Sequence, residues 1–271
     1  MLHEIAKRAK GFYEEQLSYL TKKSIQEYEK ETLDGLWNYL RIFDHTERFL
    51  CIKSLLTDQY NKNTSFVDVG CGRGPVIWHH LGLFSNYLTV VGLDINLVIL
   101  KCNKELFRKK YSSVPIDFCL CDACHLPLKD NSIDVSVCTE VLEHLPEYIS
   151  AIKELSRISK KQIIPSIPDA GISGIDYEFT KSGHLHVIET SQLVSFLRRE
   201  GWMKQKHYRI GVIWRFIERK LIRRIEKNWH SLAVQLAKII ITLELKFGRI
   251  LVNLRLPRQF SGFHIFKFIK N

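Results

Sequence analysis

The sequence predicts an α/β protein: a mostly parallel sheet with helices on both faces. Two observations predict it. From Phe66 onward, apolar strand-like runs alternate with helical stretches, and strict alternation of the two builds a parallel sheet covered on both sides. In addition, Phe66-Val67-Asp68-Val69 runs into glycines at 70, 72 and 74 and then into Pro75, which reads as strand, tight turn and helix start. Glycine lets the backbone take positive φ and lets a ligand approach closely. Proline suits the first helical position, where its missing N–H costs nothing. In such a sheet the ligand lies at the carboxyl ends of the strands.

Residues 1–60 show helical periodicity through Ile5, Phe12, Leu17, Leu20 and Ile25, then through Leu33, Leu36, Trp37, Leu40, Phe43, Phe49, Leu50, Leu55 and Leu56. Asp34-Gly35 breaks the two runs. This is an N-terminal helical cap, and Tyr13, Trp37, Tyr39 and Arg41 are available from it to line a substrate pocket. Residues 61–212 hold the sheet, with strands near 66–70, 89–94, 115–120, 134–139 and 161–165 and helices near 75–84, 96–110, 147–159 and 190–200. A further strand is expected at 207–212, and a final one within 257–271.

Residues 213–256 are an insertion. Ile213, Trp214, Ile217, Leu221, Ile222 and Ile225 share one side of a helix, while Arg215, Arg219, Lys220, Arg223 and Arg224 fall largely on the other. From 232 to 252 apolar residues occupy most of the circumference, leaving a stripe of Gln235, Lys238, Thr242, Lys246 and Arg249. Lys238 and Glu244 interrupt that run too soon for a spanning helix. Three covers are open: an anionic membrane surface or lipidic substrate, packing in the core or a homodimer, and nucleic acid. Few aromatics interleave with the basic residues, which counts against single-strand binding.

The formal charge of +11 is concentrated at one end: residues 201–271 carry sixteen Lys and Arg against three Glu. A cationic tail on a near-neutral body points to an anionic surface. The N-terminus is charged in its first turns and shows no apolar run with a cleavage site, so a cytoplasmic protein is expected, peripheral at the membrane face if the insertion meets lipid. Seven cysteines, an odd number, fit a reducing compartment. Cys119-x-Cys121-x-x-Cys124-His125 lacks a second ligand pair at zinc spacing, and no metal is assigned to it.

Acidic residues recur where strands end: Asp94 after Val90-Val91-Gly92-Leu93, Asp122 after the third strand, and Glu140 after the fourth. A carboxylate at Asp94 is placed to accept hydrogen bonds from ribose hydroxyls, so the occupant is a nucleoside-containing cofactor. Arg73 lies between the second and third glycines, giving G-x-G-x-G. A dinucleotide site needs its third glycine one residue later, close to a pyrophosphate.

Four motifs in order, Val67 to Gly74, Gly92-Leu93-Asp94, Cys121-Asp122-Ala123 with Leu126 to Val135, and Glu140 to Pro146, resemble those of class I S-adenosylmethionine-dependent methyltransferases, in the type 11 group that includes quinone-biosynthesis enzymes. The resemblance covers roughly residues 60–202. It implies a Rossmann-like seven-stranded sheet with an antiparallel last strand, S-adenosylmethionine as cofactor, and a small-molecule or lipid-linked acceptor. It also implies roles. Gly70, Gly72 and Gly74 face the methionine part with Asp68 ordering the turn, and Asp94 binds the ribose. Asp122 and the Ala123 backbone read the adenine, Glu140 and Val141 lie beside the sulfonium, and Cys71 and Ile95 complete the cofactor contacts.

Methyl transfer is an in-line displacement on an activated sulfonium, so orientation in a dry pocket carries much of the catalysis. Where the acceptor must lose a proton, His144 is the candidate base, or else it packs the loop before the next helix. His184, in the long loop after the fifth strand, is the second substrate-side residue, or a surface histidine. Glu140-x-x-Glu143-His144 also resembles the magnesium cluster of some O-methyltransferases, including small-RNA 2′-hydroxyl enzymes, which is the alternative activity; no metal is assigned. A non-catalytic cofactor-binding subunit docking through 213–256 is the third reading. No Asn-Pro-Pro-aromatic or Pro-Cys motif is present, which disfavours base-amine and cytosine-C5 methylation.

Overall fold

A computed structural model describes residues 26–27, 43–56, 63–74, 76–77, 89–110, 114–169, 183–211, 230–252 and 262–270. In chain order these form α1 (Phe43–Leu56), β1 (Ser65–Val69), β2 (Thr89–Asp94), α2 (Leu97–Lys110), β3 (Ile116–Leu120) and β4 (Ile133–Thr139). After a 3-10 turn (Leu142–His144) come α3 (Tyr148–Ile158), β5 (Ser159–Pro168), α4 (Thr190–Arg199), β6 (Trp202–Ile210), α5 (His230–Leu251) and β7 (Phe263–Lys270). Tyr13, Trp37, Tyr39, Arg41, Pro75, most of the expected helix at 75–84 and the basic run at 213–225 lie outside the described residues.

The seven strands form one sheet in the order β3-β2-β1-β4-β5-β7-β6. Strands β1 to β5 are parallel, and β7 runs antiparallel to both neighbours, β5 and β6. Central position explains composition: all five residues of β1 are buried, because a strand covered on both faces has no polar side to show. The polar residues that alternate through β4 are satisfied in place. Asp134 accepts from the Ser65 N–H and hydroxyl, both at 2.9 Å, and the Ser136 and Ser159 hydroxyls lie 2.6 Å apart.

Two apolar layers flank the sheet. One is built from α1 and α2 with Phe66, Val90, Val135, Val137, Tyr208 and Ile265. The other joins α3 and α4 to Val67, Val69, Leu93, Trp202, Phe266 and Phe268. Helices therefore cover both faces, as expected. The expected strand at 207–212 begins five residues earlier, at Trp202. Met203, Lys204 and Gln205 are exposed on the sheet edge, so the apolar alternation that marks a half-buried strand is missing there. All seven cysteines are free, as a reducing compartment implies, and Cys119 is exposed.

The loop at 126–130 is fastened to α3 by Arg157. Its Nη1 donates to the Leu128 carbonyl at 2.8 Å and to Asp130 at 2.6 Å, its Nη2 to the Leu126 carbonyl at 3.0 Å, and its Nε to Glu154 at 2.7 Å. Glu154 in turn accepts from the Leu126 N–H at 2.7 Å. Arg157→Ala leaves these acceptors to water, and is expected to lower unfolding free energy by about 1.5 kcal/mol, read as a lower urea midpoint at unchanged slope.

Candidate functional site

The strand order reverses between β1 and β4, and the crevice at their carboxyl ends is where open α/β sheets bind ligands. The glycine turn lies there. Gly70, Gly72 and Gly74 take φ of 72°, 51° and 73°, values that L side chains seldom adopt. The N–H groups of Gly70 and Cys71 both donate to the Leu93 carbonyl, at 2.8 and 2.9 Å, which ties the turn to the end of β2. A Cβ built on Gly70 would lie 2.2 Å from Cγ2 of Val141, whereas one on Gly72 meets nothing within 4 Å. Val141 thus closes over the first glycine while the second faces open space. The Cys71 side chain turns inward to the core, leaving its backbone to the turn.

Two side chains hold that turn. Asp94 Oδ2 accepts from the Gly72 N–H at 2.8 Å, and its Oδ1 from the Asn96 N–H at 2.9 Å. Burial raises the Asp94 carboxyl, against the pull of hydrogen bonds from Asn96, Gly72 and Ile95. The carboxylate keeps acceptor capacity beyond these bonds. From α2, Asn103 donates its amide to the Gly72 carbonyl at 2.8 Å and is fully buried. Asp68, expected to order the turn, is 1% exposed, and neither of its oxygens has a hydrogen-bond partner. Burial first and Asp94 second push its carboxyl well above the ordinary range, with Arg48 opposing.

At the end of β4, Glu140 takes a φ of 54°, a strained value for a residue with a side chain. Its carboxylate accepts from the Ser166 hydroxyl at 2.7 Å and pairs with Arg48 at 3.3 Å. Arg48, buried on α1, also lies over the Phe263 ring at 5.0 Å. At the ends of β2 and β3, Ile95, Leu97 and Leu120 are exposed apolar side chains, and Leu120 pairs in register with Asp94. Asp122 follows with its Oδ1 accepting from the Cys124 N–H at 2.8 Å, a turn bond that leaves its other oxygen 3.5 Å from His125. Ala123, next in the chain, is partly buried against the core under α3.

The two expected histidines, forty positions apart in the chain, come together. The rings of His144 and His184 lie 4.7 Å apart, edge to face. His144 Nδ1 is 3.1 Å from the Gly183 carbonyl; a carbonyl only accepts, so Nδ1 carries the proton and Nε2 is left as an acceptor. Burial lowers His144 below the ordinary histidine value, opposed by that bond. Burial, and then His144 itself, take His184 down to about 4. Both are neutral near pH 7. Glu143 Oε1 is 4.0 Å from His144 Nε2, and this carboxyl is buried with neither oxygen hydrogen-bonded. Burial, then Glu140, push it well upward. Candidate ligand atoms of Glu143, His144 and His184 lie within 4.8 Å of one another, the group among the described residues that could hold a metal ion.

Residues 67–162 match the family described as methyltransferase domain. An uncharacterised protein of Methanocaldococcus jannaschii is 29% identical to it over 137 residues, 50% of this chain and 55% of that protein. Demethylmenaquinone methyltransferase of Staphylococcus aureus is 31% identical over 99 residues, 36% of this chain and 40% of that enzyme. The chain thus spans about half the length, or less, of these relatives. The solved structure of Haemonchus contortus phosphoethanolamine N-methyltransferase 2, in complex with phosphomonomethylethanolamine and S-adenosylhomocysteine, aligns with a TM-score of 0.60 at 16% identity, over 82% of this chain and 52% of that one. At that identity the likeness is one of fold, the seven-stranded mixed sheet that the sequence predicts.

Two residues at the site, Asn103 and Arg48, are not marked by any motif in the sequence. Asn103 falls among Leu100, Leu106 and Phe107 on the buried side of α2. A polar residue inside an apolar stripe signals a buried partner, and that signal was readable. Arg48 had none, because periodicity across 43–56 marks an apolar face without saying which charged side chain turns inward.

Proposed function

We propose that this chain transfers the methyl group of S-adenosylmethionine to a small-molecule or lipid-linked acceptor. The observation that carries the reading is the glycine turn held by Asp94 and Asn103 at the switch point of the sheet. The residues present fit a cationic, nucleoside-bearing donor. Gly72 offers an open backbone face, Asp68 offers a buried carboxyl with no partner, and Ile95, Leu97 and Leu120 offer apolar surface for a base beside Asp122. The named activities of the relatives support the class, and the phosphoethanolamine enzyme supports an acceptor of small size.

Bound, the donor supplies a methyl carbon whose bond to sulfur breaks as the acceptor's lone pair attacks, the electron pair leaving on sulfur. Asp94 would take the ribose hydroxyls on its remaining lone pairs while keeping Gly72 in place. Val141, packed over Gly70, would exclude water from the reacting side. His144 would accept the acceptor's proton at Nε2, beside the buried Glu143 carboxyl, whose ionised form the new imidazolium would favour. Calorimetry tests the reading: micromolar binding of S-adenosylmethionine is expected, weakened roughly tenfold or more in Asp94→Ala, and folded wild-type protein giving no binding would sink it. Mass spectrometry of cell extract incubated with labelled donor identifies the acceptor.

One observation favours a second reading of the same site. A carboxylate and two neutral imidazoles within 4.8 Å of each other make a ligand set for a divalent ion that would hold the acceptor oxygen. Turnover abolished by a chelator and restored by added metal supports it. Turnover unchanged after chelation leaves His144 as the base.

A further inference from the structure

α5 has two apolar faces, and among the described residues only one of them meets the rest of the protein. Along one side Ile241, Glu244 and Gly248 are buried, and a Cβ built on Gly248 would lie 3.1 Å from the Arg209 carbonyl, so the helix backbone rests closely on β6. On the opposite side Leu232, Ile239, Leu243, Phe247 and Ile250 are 42–61% exposed. Their spacing of seven, four, four and three residues keeps them on one stripe, about 27 Å long at 1.5 Å per residue. Scattered exposed apolar residues are ordinary, but a contiguous stripe of five large ones on one helix marks a contact surface.

Charge chooses the occupant. Lys238 and Lys246 run beside the stripe, Arg249 turns back to donate its Nε to the Tyr208 hydroxyl at 3.0 Å, and the only acidic residue of α5, Glu244, is fully buried on the other face. The solvent side of the helix is therefore apolar and purely cationic. The Lys246 ammonium lies 5.9 Å from the centre of the Phe247 ring, and a lysine beside apolar side chains can lay its stem on them while its charge stays in a polar medium. The chain just before α5 adds Arg215, Arg219, Lys220, Arg223 and Arg224. Beside the buried side of the helix a cleft of about 470 Å³ opens between α1 and α5, walled by Leu50, Ile241 and Leu245 with Lys53 and Lys238. Among the described residues no helix is long and apolar enough to cross a membrane, so such a helix lies along the surface.

We propose that α5 docks the protein on an anionic lipid bilayer, with Leu232, Ile239, Leu243, Phe247 and Ile250 in the boundary between headgroups and acyl chains and Lys238 and Lys246 on lipid phosphates. The binding stands apart from methyl transfer. The test is flotation of the full chain with vesicles of phosphatidylcholine alone and of phosphatidylcholine mixed with phosphatidylglycerol. Recovery with the mixed vesicles only is expected, weakened but not abolished by salt, because insertion keeps an apolar component. Ile239→Asp with Leu243→Asp should cut recovery roughly tenfold or more, and Lys238→Glu with Lys246→Glu should cut it at low salt. These positions are exposed, and a thermal melt matching wild type shows that the variants fold whether or not they bind S-adenosylmethionine. No recovery with mixed vesicles, equal recovery with both kinds, or recovery untouched by the aspartates overturns the proposal. So does a dimer in light scattering that the aspartates make monomeric without any lipid binding, which would assign the stripe to a second copy.

Discussion

Replacing His144 by alanine is expected to lower turnover by about 10²- to 10⁴-fold, the usual contribution of a positioned base, with S-adenosylmethionine affinity in calorimetry unchanged. The geometry leaves one nitrogen for the task, since Nδ1 is spent on the Gly183 carbonyl. Turnover is read as formation of S-adenosylhomocysteine in extract, and a loss smaller than about twofold would remove His144 as a base. The pH profile gives a second readout. Because burial lowers the His144 value, the neutral base persists below pH 6.5, and kcat should fall only at more acid pH than an ordinary histidine would impose. The same sign governs part of the stability. An unfolded chain protonates His184 near its ordinary value, whereas the folded chain holds it neutral down to about 4. Its contribution is complete above the unfolded value and is lost as pH falls from about 6.5 toward 4.

Gly70→Ala is expected to be the most damaging single change in the turn. The new methyl would fall 2.2 Å from Val141 Cγ2 at a φ of 72°, so it meets both a collision and a left-handed backbone that disfavours any side chain by about 1–2 kcal/mol. A loss of donor affinity of roughly a hundredfold and a lower melting temperature should follow. Adding Val141→Ala removes the collision and leaves the backbone cost, so the double variant should regain part of the melting temperature. Gly72→Ala meets no atom within 4 Å and should show the backbone cost alone. A melt of Gly70→Ala equal to that of Gly72→Ala would mean that Val141 yields freely.

Most of the sheet was legible because its strands announce themselves physically. Phe66 to Val69 and Val135 to Thr139 are short apolar or alternating runs ended by turn chemistry, and the glycines at 70, 72 and 74 have the positive φ their spacing implied. What escaped is what the chain's local pattern does not encode. The first half of β6 is hidden because its edge position permits Lys204 and Gln205. The length of β5, which runs from Ser159 to Pro168 rather than 161 to 165, is hidden because Ser159 and Ser166 make buried hydroxyl bonds, so polar residues continue the strand. At the site, the positions of His144 and His184 in the sequence suggested two independent substrate contacts, and only tertiary structure puts their rings 4.7 Å apart. Asp68 and Asp94 are both carboxyls beside the glycine turn, near the ends of neighbouring strands. One is held by two backbone N–H groups and the other by none, a difference that depends on where β2 delivers its last residue.

The position of β7 has a consequence for the order of assembly. This strand follows the other six in the chain, yet it lies between β5 and β6 rather than at an edge, pairing Ser166 with Ile265 and Tyr208 with the same residue. At roughly 5–20 residues per second of synthesis, β5 and β6 are made several seconds before the strand that joins them. During that interval both offer unpaired backbone and the apolar faces of Ile163, Ile167 and Ile210. A ribosome-bound chain short of Phe263 should therefore be the species that chaperones hold, and the sheet should become protease-resistant in one step when β7 emerges.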